Sequence, residues 1–145
     1  MKLNLALAQI STKLGDVESN LAKHLDYIKQ AKSEKADLLI FPELSLTGYV
    51  LQDLVASVAH KPVDDDPIFK HLLKASKDID LVVGFVDEDS RHRFFIASAY
   101  LSGGKQFTFI IRCICQRMDY LMKVASLRGE IKCAHLIHAS AESAC

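Results

Sequence analysis

Ala36-Asp37-Leu38-Leu39-Ile40-Phe41-Pro42-Glu43-Leu44-Ser45-Leu46-Thr47-Gly48-Tyr49 is the stretch on which the fold turns. Leu38 to Phe41 is a short, continuous apolar run, the pattern of a strand covered on both faces. Pro42 ends it, because proline has no N–H to give to a ladder. Gly48 suits a tight turn. Glu43 is thereby held just past the end of a buried strand, where ligands bind in open α/β sheets. Taken alone, such a glutamate reads first as a solvated side chain, or as a first-turn helix residue whose charge suits the dipole. A part in chemistry is the second reading.

Upstream, Leu3 to Ile10 is apolar and uncharged and predicts a first, central strand. Gly15-Asp16 closes a turn, and Asp16 is a good N-cap for a helix with Val17, Leu21, Leu25 and Ile28 at helical spacing. Its opposite face carries Lys23, Asp26, Lys29 and Lys32, and it should end near Ser33 to Lys35. Strand, long helix and strand form a βαβ unit, so the two strands should run parallel.

Downstream, a helix is expected near Gln52 to His60. Asp64-Asp65-Asp66 could be a metal cluster, but Asp66 as N-cap with Pro67 at the first helical position is the better reading. That helix continues through Phe69, Leu72, Leu73 and Ser76 to about Lys77. Leu81 to Val86 should be a third strand, Asp87 to Arg91 a charged turn, and Phe94 to Leu101 a fourth strand. Ser102-Gly103-Gly104-Lys105 reads as a hairpin turn into a fifth strand, Phe107 to Ile111. The order is that of an α/β domain.

The chain has 145 residues and a formal net charge of zero, and half its residues are hydrophobic. One domain with a sizeable core is expected. Nothing in the charge balance points to nucleic acid or an anionic membrane as partner. There is no apolar run of about 18 residues, so no transmembrane helix is expected. The N-terminus enters a strand pattern at once and makes a poor signal peptide. All four cysteines fall after residue 112, which is not a disulfide framework spread over a fold. Together these features suggest a cytoplasmic location.

Phe41-Pro42-Glu43-Leu44-Ser45-Leu46-Thr47-Gly48-Tyr49 resembles the first signature of the nitrilase, or carbon–nitrogen hydrolase, superfamily. The continuation Tyr49-Val50-Leu51-Gln52-Asp53-Leu54 is most similar to the glutaminase (amidase) domain of glutamine-dependent NAD synthetases. The resemblance implies that Glu43 is the general base of a Glu-Lys-Cys triad. A carboxylate partly desolvated at an apolar strand end would suit taking a proton from a thiol near neutral pH. It also implies the N-terminal half of a nitrilase-type α-β-β-α sandwich and hydrolysis of a small-molecule amide. Ammonia would be released for NAD synthesis, with no metal or organic cofactor, and subunits would pair through the sandwich. Phe95 to Lys105 looks like the family's strand–turn–strand pair, except that Ala97 stands where the family commonly has Asn.

The resemblance covers residues 1–112. From about Gln106 the pattern fails. The family expects an H-[RK]-K-x-x-L-P-type segment carrying the triad Lys and a later strand ending in the nucleophilic Cys. Neither motif occurs, so the alternative reading is a catalytically incomplete, non-enzymatic fragment. Residues 113–145 form a tail that does not match. Back-translating it, and joining the third base of each codon to the first two of the next, permits H-H-K-M-Y-L-P-T-Y-G-L-F-D-E-G-R from about Ile110. Met118-Asp119 forces Gly, Asp119-Tyr120 forces Leu, and Met122-Lys123 forces Glu. The tail therefore reads as a displaced-frame translation of a nitrilase gene. Such a tail was not selected to pack. Residues 113–145 are expected to be poorly ordered or helical by local propensity, with a helix over Asp119 to Leu127. No strand is expected from Ile131 onward, and the truncated sheet should keep an uncovered edge and an apolar face.

Other chemistry is weaker. Cys113-x-Cys115 with Cys133 and His135 lacks the spacing of common zinc sites. Cys115 is outside the family's cysteine motif, and a nucleophile would need a base and an oxyanion site beside it. His24, His60, His71 and His92 read as isolated, solvated side chains. Ser45 is in no G-x-S-x-G elbow. Gly103-Gly104 is a turn rather than a phosphate loop, since no helix N-terminus follows.

Overall fold

The computed structural model describes residues 3–49, 51–61, 63, 65–112 and 131–138, with side chains described as far as residue 106. The chain folds as β1 (Leu3–Gln9), α1 (Val17–Ser33), β2 (Leu38–Ile40), a 3₁₀ turn (Gln52–Leu54), α2 (Val55–Val58), α3 (Pro67–Ala75), β3 (Asp80–Glu88), β4 (Phe94–Ser102), β5 (Lys105–Arg112) and β6 (Ile131–His138). These strands form one sheet in the order β5-β4-β3-β2-β1-β6. β1, β2, β3 and β6 run parallel, while β4 and β5 return antiparallel as a hairpin. Its turn at Gly103 and Gly104 has φ of +58° and +76°, the region that glycine enters without strain.

The expected caps are in place. Asp16 accepts a hydrogen bond from Ser19 N–H at 3.0 Å and starts α1. Asp66 accepts from Ile68 and Phe69 N–H at 2.9 and 3.1 Å, with Pro67 opening α3. Asp66 also pairs with His60 at 2.9 Å, so its carboxylate is a structural group. Of the other two acidic residues in that run, Asp65 is exposed and Asp64 lies outside the described residues.

The strand register divides the sheet into two unlike faces. On one, Ala6, Leu39, Phe41, Leu81, Val83, Phe85, Ala97, Ala99 and Leu101 are all buried. α1 and α3 cover this face; the Phe69 ring meets Phe85 edge-on at 4.8 Å. Ala97 lies opposite Phe85 in this core, where its methyl fits beneath the helices. On the other face Leu38, Val82 and Val86 are buried as well, while Leu5, Leu7, Ile40 and Ile96 are half-buried and Phe94 is exposed. The apolar face expected of a truncated sheet is therefore present.

One expectation about the sheet is corrected. Residues 131–138 form a strand, paired parallel to β1 from Leu3↔Ile131 to Gln9↔His138. The outer edge of β1 presents a row of N–H and C=O groups, and backbone pairing with it needs no alternating side-chain pattern. The expected helix over Asp119 to Leu127, and the rest of the tail, lie outside the described residues.

Candidate functional site

Glu43 sits on a turn that begins where β2 ends. Phe41 still belongs to the ladder, donating its N–H to Val82 C=O at 2.9 Å. Pro42 cannot continue it. The chain then closes on itself: Ser45 N–H donates to Pro42 C=O at 3.2 Å, and Thr47 and Gly48 N–H donate to Leu44 C=O at 3.2 and 2.8 Å. Leu44 has φ of +52°, an uncommon conformation for a branched side chain, and Gly48 has φ of +82°. A left-handed Leu persists only where its surroundings hold it. Here Leu44, Ser45, Leu46 and Thr47 are all buried.

The turn is held from two sides. On the sheet side, Leu46 N–H donates to Gly84 C=O at 3.1 Å. A Cβ at Gly84 would lie 2.7 Å from both Leu44 N and Pro42 O, and 3.0 Å from Glu43 Cα. Gly84 is thus the residue that lets the Glu43 backbone rest directly on β3. On the helix side, Asn20 and His24 stand one turn apart on α1 and are both fully buried. Asn20 Nδ2 donates to Leu46 C=O at 2.9 Å and to Lys13 C=O at 2.8 Å, while its Oδ1 accepts from Lys13 N–H at 2.8 Å. Gly15 N–H adds a bond to Thr47 C=O at 2.9 Å.

His24 is fully buried, not solvated as expected. Its ring stacks on Phe41 at 4.1 Å. Nδ1 lies 2.7 Å from Asn20 C=O and Nε2 lies 2.9 Å from Ser45 Oγ. Burial disfavours the imidazolium and pulls the pKa from the ordinary value near 6.5 down to about 4. His60 is half-buried and paired with Asp66, and His92, though exposed, pairs with Glu88, so neither is the isolated side chain expected; His71 is exposed as expected.

Sequence reading missed Asn20 and His24 because it followed the apolar letters of α1. The stripe that faces inward is Val17, Asn20, Leu21, His24, Ile28 and Ala31. Two polar residues in phase with a buried stripe signal that something polar lies opposite. Here that is the turn carrying Glu43.

Glu43 itself is exposed, so the partial desolvation expected at the strand end is absent in this chain. The turn leaves Pro42 and Glu43 on its outer side while residues 44–48 fold inward. The Glu43 backbone, by contrast, is closely fixed. The arrangement presents one carboxylate from a rigid mount, suited to accept a proton or a hydrogen bond from a group brought to the strand end. A buried carboxyl, Asp87 near the end of β3, has its pKa raised by burial. An open groove lined by Leu14, Asp16, Leu54, His60 and Ile68 lies between the helices, and Glu43 does not line it. Among the described residues no three His, Cys, Asp or Glu side chains converge to hold a metal ion. Cys113 and Cys115 lie outside them, and Cys133 and His135 are placed only by the backbone of β6.

Known proteins share this architecture. A glutamine-dependent NAD(+) synthetase of Acinetobacter baylyi is 37% identical over 102 residues, covering 68% of this chain and 18% of that protein. The structure of glutamine-dependent NAD+ synthetase from Acinetobacter baumannii in complex with ADP aligns at a TM-score of 0.59. It is 33% identical and covers 74% of this chain and 20% of its own. An amidase from Nesterenkonia sp. aligns at a TM-score of 0.66 with 25% identity, covering 76% of this chain and 42% of its own. The chain thus spans about a fifth of the length of the synthetases it matches. The carbon–nitrogen hydrolase family model matches residues 4–112, from β1 to the end of β5 and across the whole Glu43 turn. On that match, three quarters of its length, the chain belongs to the carbon–nitrogen hydrolase family.

Proposed function

We propose that residues 4–112 are the general-base half of a domain that hydrolyses the side-chain amide of glutamine and supplies the released ammonia to NAD synthesis. The observation that carries this reading is the mounting of Glu43: an exposed carboxylate on a turn fixed by β3 and α1. The resemblance supplies the rest of the chemistry. Glu43 takes the proton of a cysteine thiol, and the thiolate attacks the amide carbon. A lysine stabilises the oxyanion, ammonia leaves, and water hydrolyses the thioester. A thiol that must stay reduced suits the cytoplasm. The substrate is a small-molecule amide, and a paired subunit is the partner the resemblance implies.

A specific observation favours a second reading of the chain as written. The family match stops at Arg112, where the lysine motif should begin and does not. The chain then carries the base without the nucleophile or the oxyanion stabiliser, and such a piece has lost nearly all rate enhancement. The displaced-frame reading of residues 113–145 accounts for the stop, and the nucleotide sequence around the codon for Lys105 tests it. A glutaminase assay on the purified chain separates the two readings. Ammonia release abolished by Glu43→Gln makes the chain an enzyme; no release makes it the base-bearing half only.

A further inference from the structure

His24 and Ser45 form one directed hydrogen-bond path from α1 to the turn that carries Glu43. The helix carbonyl of Asn20 can only accept, so the His24 proton is on Nδ1. Nε2 is then an acceptor, and the Ser45 hydroxyl donates to it at 2.9 Å. Ser45 has one hydroxyl proton, so its 3.3 Å approach to Gly84 C=O is not a second donation. Ser45 Oγ instead accepts weakly from Gly84 N–H at 3.4 Å. The path therefore runs, donor to acceptor, from Gly84 N–H through the Ser45 hydroxyl to His24 and on to Asn20 C=O. Ser45 and His24 are both completely buried, so water cannot replace either partner. The two ends are the features that fix Glu43: the glycine on which the 42–44 backbone rests, and the helix that grips Leu46 through Asn20.

We propose that His24 is a positioning residue for Glu43, acting through Ser45 to hold the left-handed turn at Leu44 in the one arrangement that aims the carboxylate. This rests on reading Glu43 as the proton acceptor. The ring is suited to the task because it stays neutral and stacked on Phe41, so it holds its acceptor nitrogen toward Ser45 without bringing a competing charge. A leucine there would fill the space and lose the bond.

The test uses the full chain and needs no turnover. Nitrogen-15 spectra of the wild type at pH 7 should show His24 as the Nδ1–H tautomer; a protonated Nε2 overturns the proposal without any variant. Ser45→Ala and His24→Leu should each speed amide exchange at Leu46, Thr47 and Gly48 by about tenfold, the loss expected for one buried hydrogen bond. Each should also shift the Glu43 side-chain carboxyl carbon-13 resonance at fixed pH. The double variant should go no further than either single one. Unchanged exchange, an unmoved Glu43 resonance, or effects that add in the double variant each overturn the proposal. Failure of the underlying reading looks different: glutamine hydrolysis by an active protein indifferent to Glu43→Gln, with the His24–Glu43 coupling intact.

Discussion

Two single residues decide how Glu43 is held, and each has a measurable consequence. Gly84 has no room for a side chain, since the first carbon would meet the backbone of residues 42 and 44 at 2.7 Å. Gly84→Ala should destabilise the fold by about 1–3 kcal/mol, the usual effect of overpacking a fixed site, read as a lower urea midpoint. His24 ties stability to pH. Its folded pKa, about 4, is below the ordinary 6.5, so between those values the unfolded chain binds more protons. Stability is fully present above pH 6.5 and is lost as pH falls toward 4, by on the order of 3 kcal/mol. Asp87 works in the opposite direction: its raised pKa makes it lose stability as pH climbs through that value. Urea unfolding at pH 7 and pH 4.5 should show the wild type weaker at the lower pH, with most of that difference gone in His24→Gln. A wild type equally stable at both would contradict the buried, neutral imidazole.

At the scale of elements, what was legible in the letters is what local chemistry decides. Asp16 and Asp66 announced two helix starts, Pro42 a strand end, and Gly103-Gly104 a hairpin, because each works through its own or adjacent backbone. Asp66→Ala should therefore cost about 1 kcal/mol or more, through the cap of α3 and the lost pairing with His60, seen as a lower midpoint in a far-UV melt. The place of Glu43 just past the end of β2 was legible, whereas its mount was not. Asn20 and His24 lie 23 and 19 residues before Glu43 in the chain, and their partners Leu46 and Ser45 are across a strand. No local pattern encodes that pairing except two polar residues in the buried stripe of α1. β6 was invisible for the opposite reason: its pairing to β1 is a backbone matter and leaves no periodicity to read.

At the scale of the molecule, the sheet is finished on one face and half-open on the other. α1 and α3 bury the first, whereas Leu5, Leu7, Ile40 and Ile96 are left half-exposed on the second. Partly open apolar side chains of this kind, with exposed Phe94 among them, favour association. The purified chain should grow in light-scattering size with concentration and bind a hydrophobic dye, and a concentration-independent monomer would count against an unfinished sandwich. The central claim, that residues 4–112 are the base-bearing half of a glutamine amide hydrolase, is tested most directly by exchange. Residues 4–112 replace the matching segment of the Acinetobacter baylyi synthetase, and glutamine-dependent NAD+ synthesis by the chimaera is measured with and without Glu43→Gln. The account predicts activity that Glu43→Gln lowers by about 10²–10⁴-fold, the range for loss of a general base. A folded chimaera whose glutamine-dependent activity is the same with either residue at position 43 would contradict it.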